Sequence, residues 1–337
     1  MTTHPVSVPM TDELASYVRG FANVEVAAGG RTGVTSDGTS PRDAGPRVTK
    51  TVDATRDADA APGRRRANPG ERSVIACDLD RTLIYSAKAL ALAGDDADAP
   101  VLLVAEVYDK LPLSYLTVDA VALVQEMHHV AHVVPATTRT RAQYGRIRLP
   151  IDPHFAITTN GAHLLVDGVS DEDYHCDVVA ELDGSCAPLA EIREHLDAIA
   201  DPGWLHKLRD AEGMFAYLVV ERAELPASVV RDLSAWADER GWDVSLQGRK
   251  LYVVPKPLRK SRGLAEVMRR TGATFSTAAG DSLLDADLLL AVDAPIRPRH
   301  GELDDLGWTC PGLQVTTASG VLGGREVCAR LLAAVSP

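Results

Sequence analysis

Two aspartates, Asp78 and Asp80, stand directly after a short apolar run in the stretch RSVIACDLDRTL. Three further polar groups occupy comparable places. Thr137, Thr138 and Arg139 follow AHVVPA, Lys260 opens the helix-like SRGLAEVMRRTG beyond KLYVVP, and GDSLLD, with Asp281 and Asp285, follows ATFSTAA. Carboxylates brought to one place repel each other and resist ionisation. A divalent cation removes that conflict. Mg2+ takes oxygen ligands, keeps several waters and accepts one or two carboxylates beside a substrate phosphate. Asp78 and Asp281 suit it through their side chains and Asp80 through its carbonyl, while a lysine and a threonine hydroxyl supply donors for phosphoryl oxygens. These are the components of phosphoryl transfer.

Such groups meet only if the apolar runs are neighbouring strands. The runs Ser73–Cys77, Ala131–Thr138, Phe155–Ala162, Lys250–Pro255, Ala273–Asp281 and Leu313–Ala318 are short and apolar, as strands buried on both faces are. Helical stretches such as TVDAVALVQEMHHVA and SRGLAEVMRRTG separate several of them, which predicts an α/β fold with a mainly parallel, Rossmann-like sheet. In open sheets of this kind ligands bind beyond the carboxyl ends of the strands, where the polar groups fall.

Between Leu165 and Gly248 the pattern changes. CAPLAEIREHLDAIA reads as helix, MFAYLVVE as strand, PASVVRDLSAWADERG as helix, and WDVSLQ and KLYVVP as short strands. We expect an α+β cap at 165–248 inserted into a core of 72–164 and 249–337. Residues 1–71 are rich in Gly, Pro, Asp, Arg and Thr and poor in large apolar side chains, so disorder is expected for most of them, apart from a helical TDELASYVRGFANVEV. The glycines near Gly30 lack the Gly-Lys-Ser/Thr ending of a phosphate loop.

The chain has 337 residues, 45% of them hydrophobic, and a net charge of −12. So acidic a chain repels nucleic acid, whereas a small phosphorylated partner can be neutralised by one bound cation. The five cysteines form no C-x-x-C pair, and there is no apolar run of membrane length. A cytoplasmic protein with reduced thiols and no membrane partner is the expectation. His128 and His132 stand at i and i+4 on an expected helix, a spacing compatible with zinc, but no third ligand is evident, and a solvated face is the plainer account.

DLDRTL, a strand-end threonine, a helix-opening lysine and GDSLLD, in that order, resemble the four motifs of the haloacid dehalogenase (HAD) superfamily from Ser73 to the C-terminus. The position of the insertion after ITTNGA resembles the Cof-type and sucrose-phosphate-phosphatase-like branch, whose cap is α/β. The resemblance implies a Mg2+-dependent phosphatase, with a sugar phosphate or related metabolite as substrate. Asp78 would be the nucleophile and Asp80 the acid and base, its pKa raised as the cap excludes water. Thr137 and Lys260 would hold the phosphoryl group, Thr138, Arg139 and Asn160 would face substrate, and Asp78, Asp80, Asp281 and Asp285 would serve the metal. Lys256 is the alternative to Lys260, being nearer the strand end. Arg81 stands where the family has Gly, Thr138 replaces the Gly of T-G-R, and Leu284 replaces a common Asn. A phosphomutase with the same chemistry, and a binding protein that keeps the fold, are the other readings. The oligomeric state stays open.

Overall fold

The structure is a computed structural model that describes residues 73–336. The expectations for residues 1–71, disorder and the TDELASYVRGFANVEV helix, lie outside the described residues. The chain begins with β1 (Ser73–Cys77), followed by β2 (Tyr85–Ser86), β3 (Leu102–Tyr108), β4 (Leu111–Thr117), α1 (Val118–Val130), β5 (Ala131–Pro135) and the short α2 (Arg141–Tyr144). β6 (Phe155–Thr158), β7 (His163–Val166) and β8 (Val169–Ser170) lead into α3 (Glu172–Leu182) and α4 (Leu189–Ala198). Then come β9 (Leu205–Ala211), β10 (Phe215–Val220), α5 (Ala227–Asp238), β11 (Trp242–Gln247) and β12 (Lys250–Pro255). The chain closes with α6 (Lys260–Thr271), β13 (Ser276–Ala279), α7 (Ala286–Leu290), β14 (Ala294–Arg297), α8 (Glu302–Asp305), β15 (Gln314–Val315) and α9 (Gly320–Val335).

The central sheet is parallel, in the order β15-β14-β13-β1-β5. β1 is interior and wholly buried, which is why SVIAC carries no alternating polar residues. Its carboxyl end lies beside those of β13 and β5: Cys77 is in register with Ala279 and Pro135. Asp78, Gly280 and Ala136 therefore leave the sheet together, and this register is what gathers residues distant in sequence. Helix α1 is capped by the Thr117 hydroxyl, which accepts from the Ala120 amide at 3.1 Å, and it buries Ala120, Val121, Val124 and Met127 along one stripe. Helix α6 buries Gly263, Leu264 and Val267 and stops at Gly272, whose φ of 68° is a left-handed cap.

The inserted unit is a second sheet, antiparallel and ordered β11-β12-β10-β9. One face, with Leu218 and Leu251 fully buried, packs into a core shared with Ile192 and Leu196 of α4 and Leu233 and Ala237 of α5. Lys250–Pro255 was expected in the parallel sheet and also at the end of the insertion. It pairs antiparallel with β10 and β11, so the inserted sheet runs on to Pro255, beyond the expected limit of 248. Phe155–Thr158 likewise pairs antiparallel with β7 and touches the parallel sheet through a single bridge between Ala136 and Ile157.

Candidate active site

Lys260 ties the site together. Its ammonium donates to Asp78 Oδ1 at 2.7 Å and to Asp285 Oδ1 at 2.5 Å, with all three side chains buried. Asp285 uses its other oxygen on the Asp281 amide (3.1 Å), the Ser282 amide (3.0 Å) and the Ser282 hydroxyl (2.7 Å). It therefore shapes the loop that carries Asp281 and orients Lys260. Oxygens of Asp78, Asp281 and Asp285 lie within 4.8 Å of one another. Burial pushes the Asp78 carboxyl up to about 7 against the pull of Lys260, and pushes Asp281 well above the usual carboxylate range, with Asp78 and Asp285 adding to the effect. Lys260 moves upward despite its burial, because Asp285 and Asp78 stabilise its charge. The cluster holds more negative charge than one lysine balances, and every candidate donor is oxygen. That chemistry fits a hard divalent cation.

Asp80 does not share this cluster. Its two carboxylate oxygens accept from Arg139 Nε at 2.6 Å and Nη2 at 2.8 Å, a bidentate clamp. Burial acts to raise its pKa, but Arg139 prevails and holds Asp80 at about 2. This corrects the expectation of a raised pKa at Asp80: in this arrangement the carboxyl is ionised. It also gives Arg139 a different neighbour from the one expected, since its Nη1 donates to the buried Glu106 at 2.9 Å. Glu106 additionally accepts from Arg146 Nε at 3.0 Å and from the Ser114 hydroxyl at 3.3 Å. Arg139 is thus fixed between two carboxylates.

Thr137 is buried at the end of β5, where its hydroxyl accepts from the Arg139 amide at 3.2 Å; Thr138 beside it is also buried. Asn160 was expected to face substrate. It is 2% exposed, and its Nδ2 donates to the Leu258 carbonyl at 2.8 Å, which braces the approach to Lys260. Gly161 follows with φ 99°, and a Cβ there would lie 2.2 Å from the Arg259 carbonyl oxygen. Gly161→Ala is expected to cost about 2–4 kcal/mol through strain and overpacking. Because the displaced backbone carries Lys260, any turnover that depends on Lys260 should fall further than a fall in folded protein explains. Thermal melts beside kcat on the same preparation check this.

Lys256 is resolved against: its ammonium reaches Asp238 Oδ1 at 2.5 Å on the surface, away from the buried cluster. His128 is on α1 whereas His132 is on β5, so the helical spacing that suits zinc does not apply. Arg81, which stands in place of the Gly of the motif that the chain resembles, has φ 65° and sets its Nε 3.4 Å from Asp281 Oδ2. His300 supports that left-handed residue. The Gly320 amide donates to its Nδ1 at 3.1 Å, which leaves Nε2–H to donate to the Arg81 carbonyl at 2.7 Å. Glu106, His300 and Glu302 were all missed from sequence. Glu302 joins the Leu283 amide (3.0 Å) to the Ser245 hydroxyl (2.5 Å) of the inserted sheet.

The fold is that of the HAD phosphatases. The sucrose-phosphatase of Synechocystis sp. PCC6803, solved with sucrose and phosphate, aligns at TM-score 0.52 and 14% identity over 77% of this chain and 98% of that one. A protein from Thermoplasma acidophilum aligns at TM-score 0.50 and 11% identity over 77% and 98%. A sugar phosphatase of HAD subclass IIB gives 0.47 and 12% over 76% and 97%. No protein-family model matches the sequence, and no curated protein does. Among the described residues no helix is long and apolar enough to cross a membrane, and all five cysteines are unpaired.

Proposed function

We propose that the chain is a cytoplasmic, Mg2+-dependent phosphatase that hydrolyses phosphate monoesters of small metabolites, sugar phosphates foremost. In this reading the unit from α3 to β12 is a cap over the active site. The observation that carries the reading is the buried Lys260 bridging Asp78 and Asp285 beside Asp281, with Asp80 two residues along and held apart. Asp78 and Asp281, with the Asp80 carbonyl, would hold the metal, which supplies charge neutralisation for the incoming phosphate.

Asp78 attacks phosphorus as its carboxylate, so that a P–O bond forms to its oxygen and the ester P–O bond breaks. Lys260 and the Thr137 hydroxyl are placed to donate to the phosphoryl oxygens. The leaving alkoxide needs a proton, and Asp80 can supply one only after it leaves Arg139 and its pKa rises. Having given that proton up, the Asp80 carboxylate takes one from the water that cleaves the aspartyl phosphate. The clamp at Arg139 is then a resting position of the acid. Thr138 sits beside this clamp, where the substrate's leaving group would pass.

Hydrolysis of p-nitrophenyl phosphate should require Mg2+, falling at least about 100-fold in EDTA and returning when the metal is restored. Free phosphate should appear in proportion to alcohol. Transfer of the phosphoryl group to a second position on a sugar, without free phosphate, would make the chain a mutase. Hydrolysis indifferent to metal would remove the proposal.

A further inference from the structure

Cross-strand pairing places Arg209, Tyr217 and Tyr252 in one row of the inserted sheet and Lys207, Val219 and Lys250 in the next. Directly opposed residues share a face, so all six share one, opposite the face that packs on α4 and α5. That shared face meets the core domain at two points. Gln143 Nε2 donates to the Tyr217 hydroxyl at 3.1 Å, close after Arg139 in the chain, and Ser245, opposite Tyr252, donates to Glu302 beside the Asp281 loop. The face is therefore turned toward the loops that carry Asp80, Arg139 and Asp281.

Among the described residues Lys207, Arg209 and Lys250 form no ion pair with a carboxylate, in a chain with 47 acidic residues. Lys250 instead holds its ammonium 5.7 Å from the Tyr217 ring centre and 5.8 Å from that of Tyr252. A lysine on an edge strand discourages edge-to-edge pairing, which accounts for a charge on β9. It does not account for Lys250, which lies on the interior strand β12, nor for three cations on the one face that looks at the site. Tyr217 and Tyr252 are buried between the inserted sheet and the core, with Lys250 drawn to the Tyr252 hydroxyl and to Asp80. With Lys207 and Arg209 exposed beside them, they make a lining for a carbon skeleton that carries an anion.

We propose that Lys207, Arg209 and Lys250 receive a second anionic group of the substrate, a carboxylate or a second phosphate, held apart from the phosphate presented to Asp78. The inference deepens the phosphatase reading above and rests on it. It narrows the substrate from a neutral sugar phosphate to a phosphate ester bearing another negative charge.

The test compares kcat/KM for pairs that differ by that charge: 3-phosphoglycerate against glycerol 3-phosphate for a carboxylate, and glucose 1,6-bisphosphate against glucose 6-phosphate for a phosphate. At least one doubly anionic member should be preferred by the wild type, and which pair shows the preference identifies the anion. Arg209→Gln and Lys250→Gln should each lower that ratio about 10-fold, the loss of one charge-assisted contact. The ratio is insensitive to a general loss of folded enzyme, so it keeps the test valid if a variant is less stable. If p-nitrophenyl phosphate and all four esters go unhydrolysed with Mg2+, the phosphatase reading falls and takes this inference with it. If p-nitrophenyl phosphate is hydrolysed but neither pair shows a preference, or the preference survives both substitutions, the inference alone is overturned.

Discussion

Asp78→Asn should abolish hydrolysis of phosphate esters, by about 10⁴-fold or more, while leaving the protein folded. The amide keeps the shape of the carboxylate and removes the nucleophilic charge. Lys260 keeps Asp285 as a partner at 2.5 Å, so the substitution does not strand a buried ammonium. It also removes one of three carboxylates crowded within 4.8 Å. The melting temperature in EDTA should accordingly hold or rise, the usual relation where a site is built for chemistry at the expense of stability.

The pH dependence carries the same prediction. With its pKa pushed up to about 7 from 3.8, Asp78 retains a proton in the folded state at pH values where the unfolded chain has lost it. Its contribution to stability is then largest below pH 4 and declines as pH rises toward 7. Metal-free wild type should lose stability over that window, and Asp78→Asn should lose less. Melts across pH 4 to 8 in EDTA measure both. Full activity in the variant would exclude Asp78 as nucleophile, and a collapsed melting temperature would mean that Lys260 depends on Asp78 more than on Asp285.

Some of this arrangement was legible in the chain and some was not, for physical reasons. Asp78 and Asp281 could be placed because each ends an apolar run, and adjacent parallel strands deliver their carboxyl ends to one edge. Lys260 and Lys256 could not be separated, because both follow β12 within a few residues and only the packing of Asp238 draws Lys256 away. Glu106 was invisible, since its meaning depends on Arg139, 33 residues later, and no local pattern encodes that meeting. The hairpin that carries Glu106 was hidden too. Its turn, Asp109-Lys110, has φ of 50° and 62°, a conformation usually signalled by Asn-Gly. β14, with Pro295 in a four-residue strand, lacks the apolar run that reveals its neighbours.

The error over Asp80 has a related origin. A carboxylate under a closing cap is desolvated, and desolvation does act to raise its pKa here. The opposing guanidinium is stronger because its fork meets both oxygens, and Arg139 is in turn held by Glu106. Sequence supplied the residue types but not the pairing, and in this site the pairing decides the sign. The same holds for the cations of the inserted sheet. Only the strand register places Lys207, Arg209 and Lys250 on one face.

Lys260→Met should be the most destabilising single change at the site. Methionine fills most of the lysine's volume and follows a similar path, so packing is largely kept. What is lost is the only cation, among the described residues, bonded to Asp78 Oδ1 and Asp285 Oδ1, two carboxylates that are 5% and 0% exposed. Breaking a buried ion pair by removing one partner costs about 3–5 kcal/mol, since the remaining charge must be protonated or left uncompensated. For a protein of this size that lowers the melting temperature by about 10 °C. The deficit should shrink as pH falls and the stranded carboxylates take up protons, and it should shrink on adding Mg2+ at neutral pH if the cluster binds the metal. A loss equal at pH 5 and pH 8 would show that Lys260 acts through packing and not through its charge. On the proposed mechanism the catalytic loss should persist where stability recovers, because neither protons nor the cation would replace the donor that Lys260 would offer to phosphate.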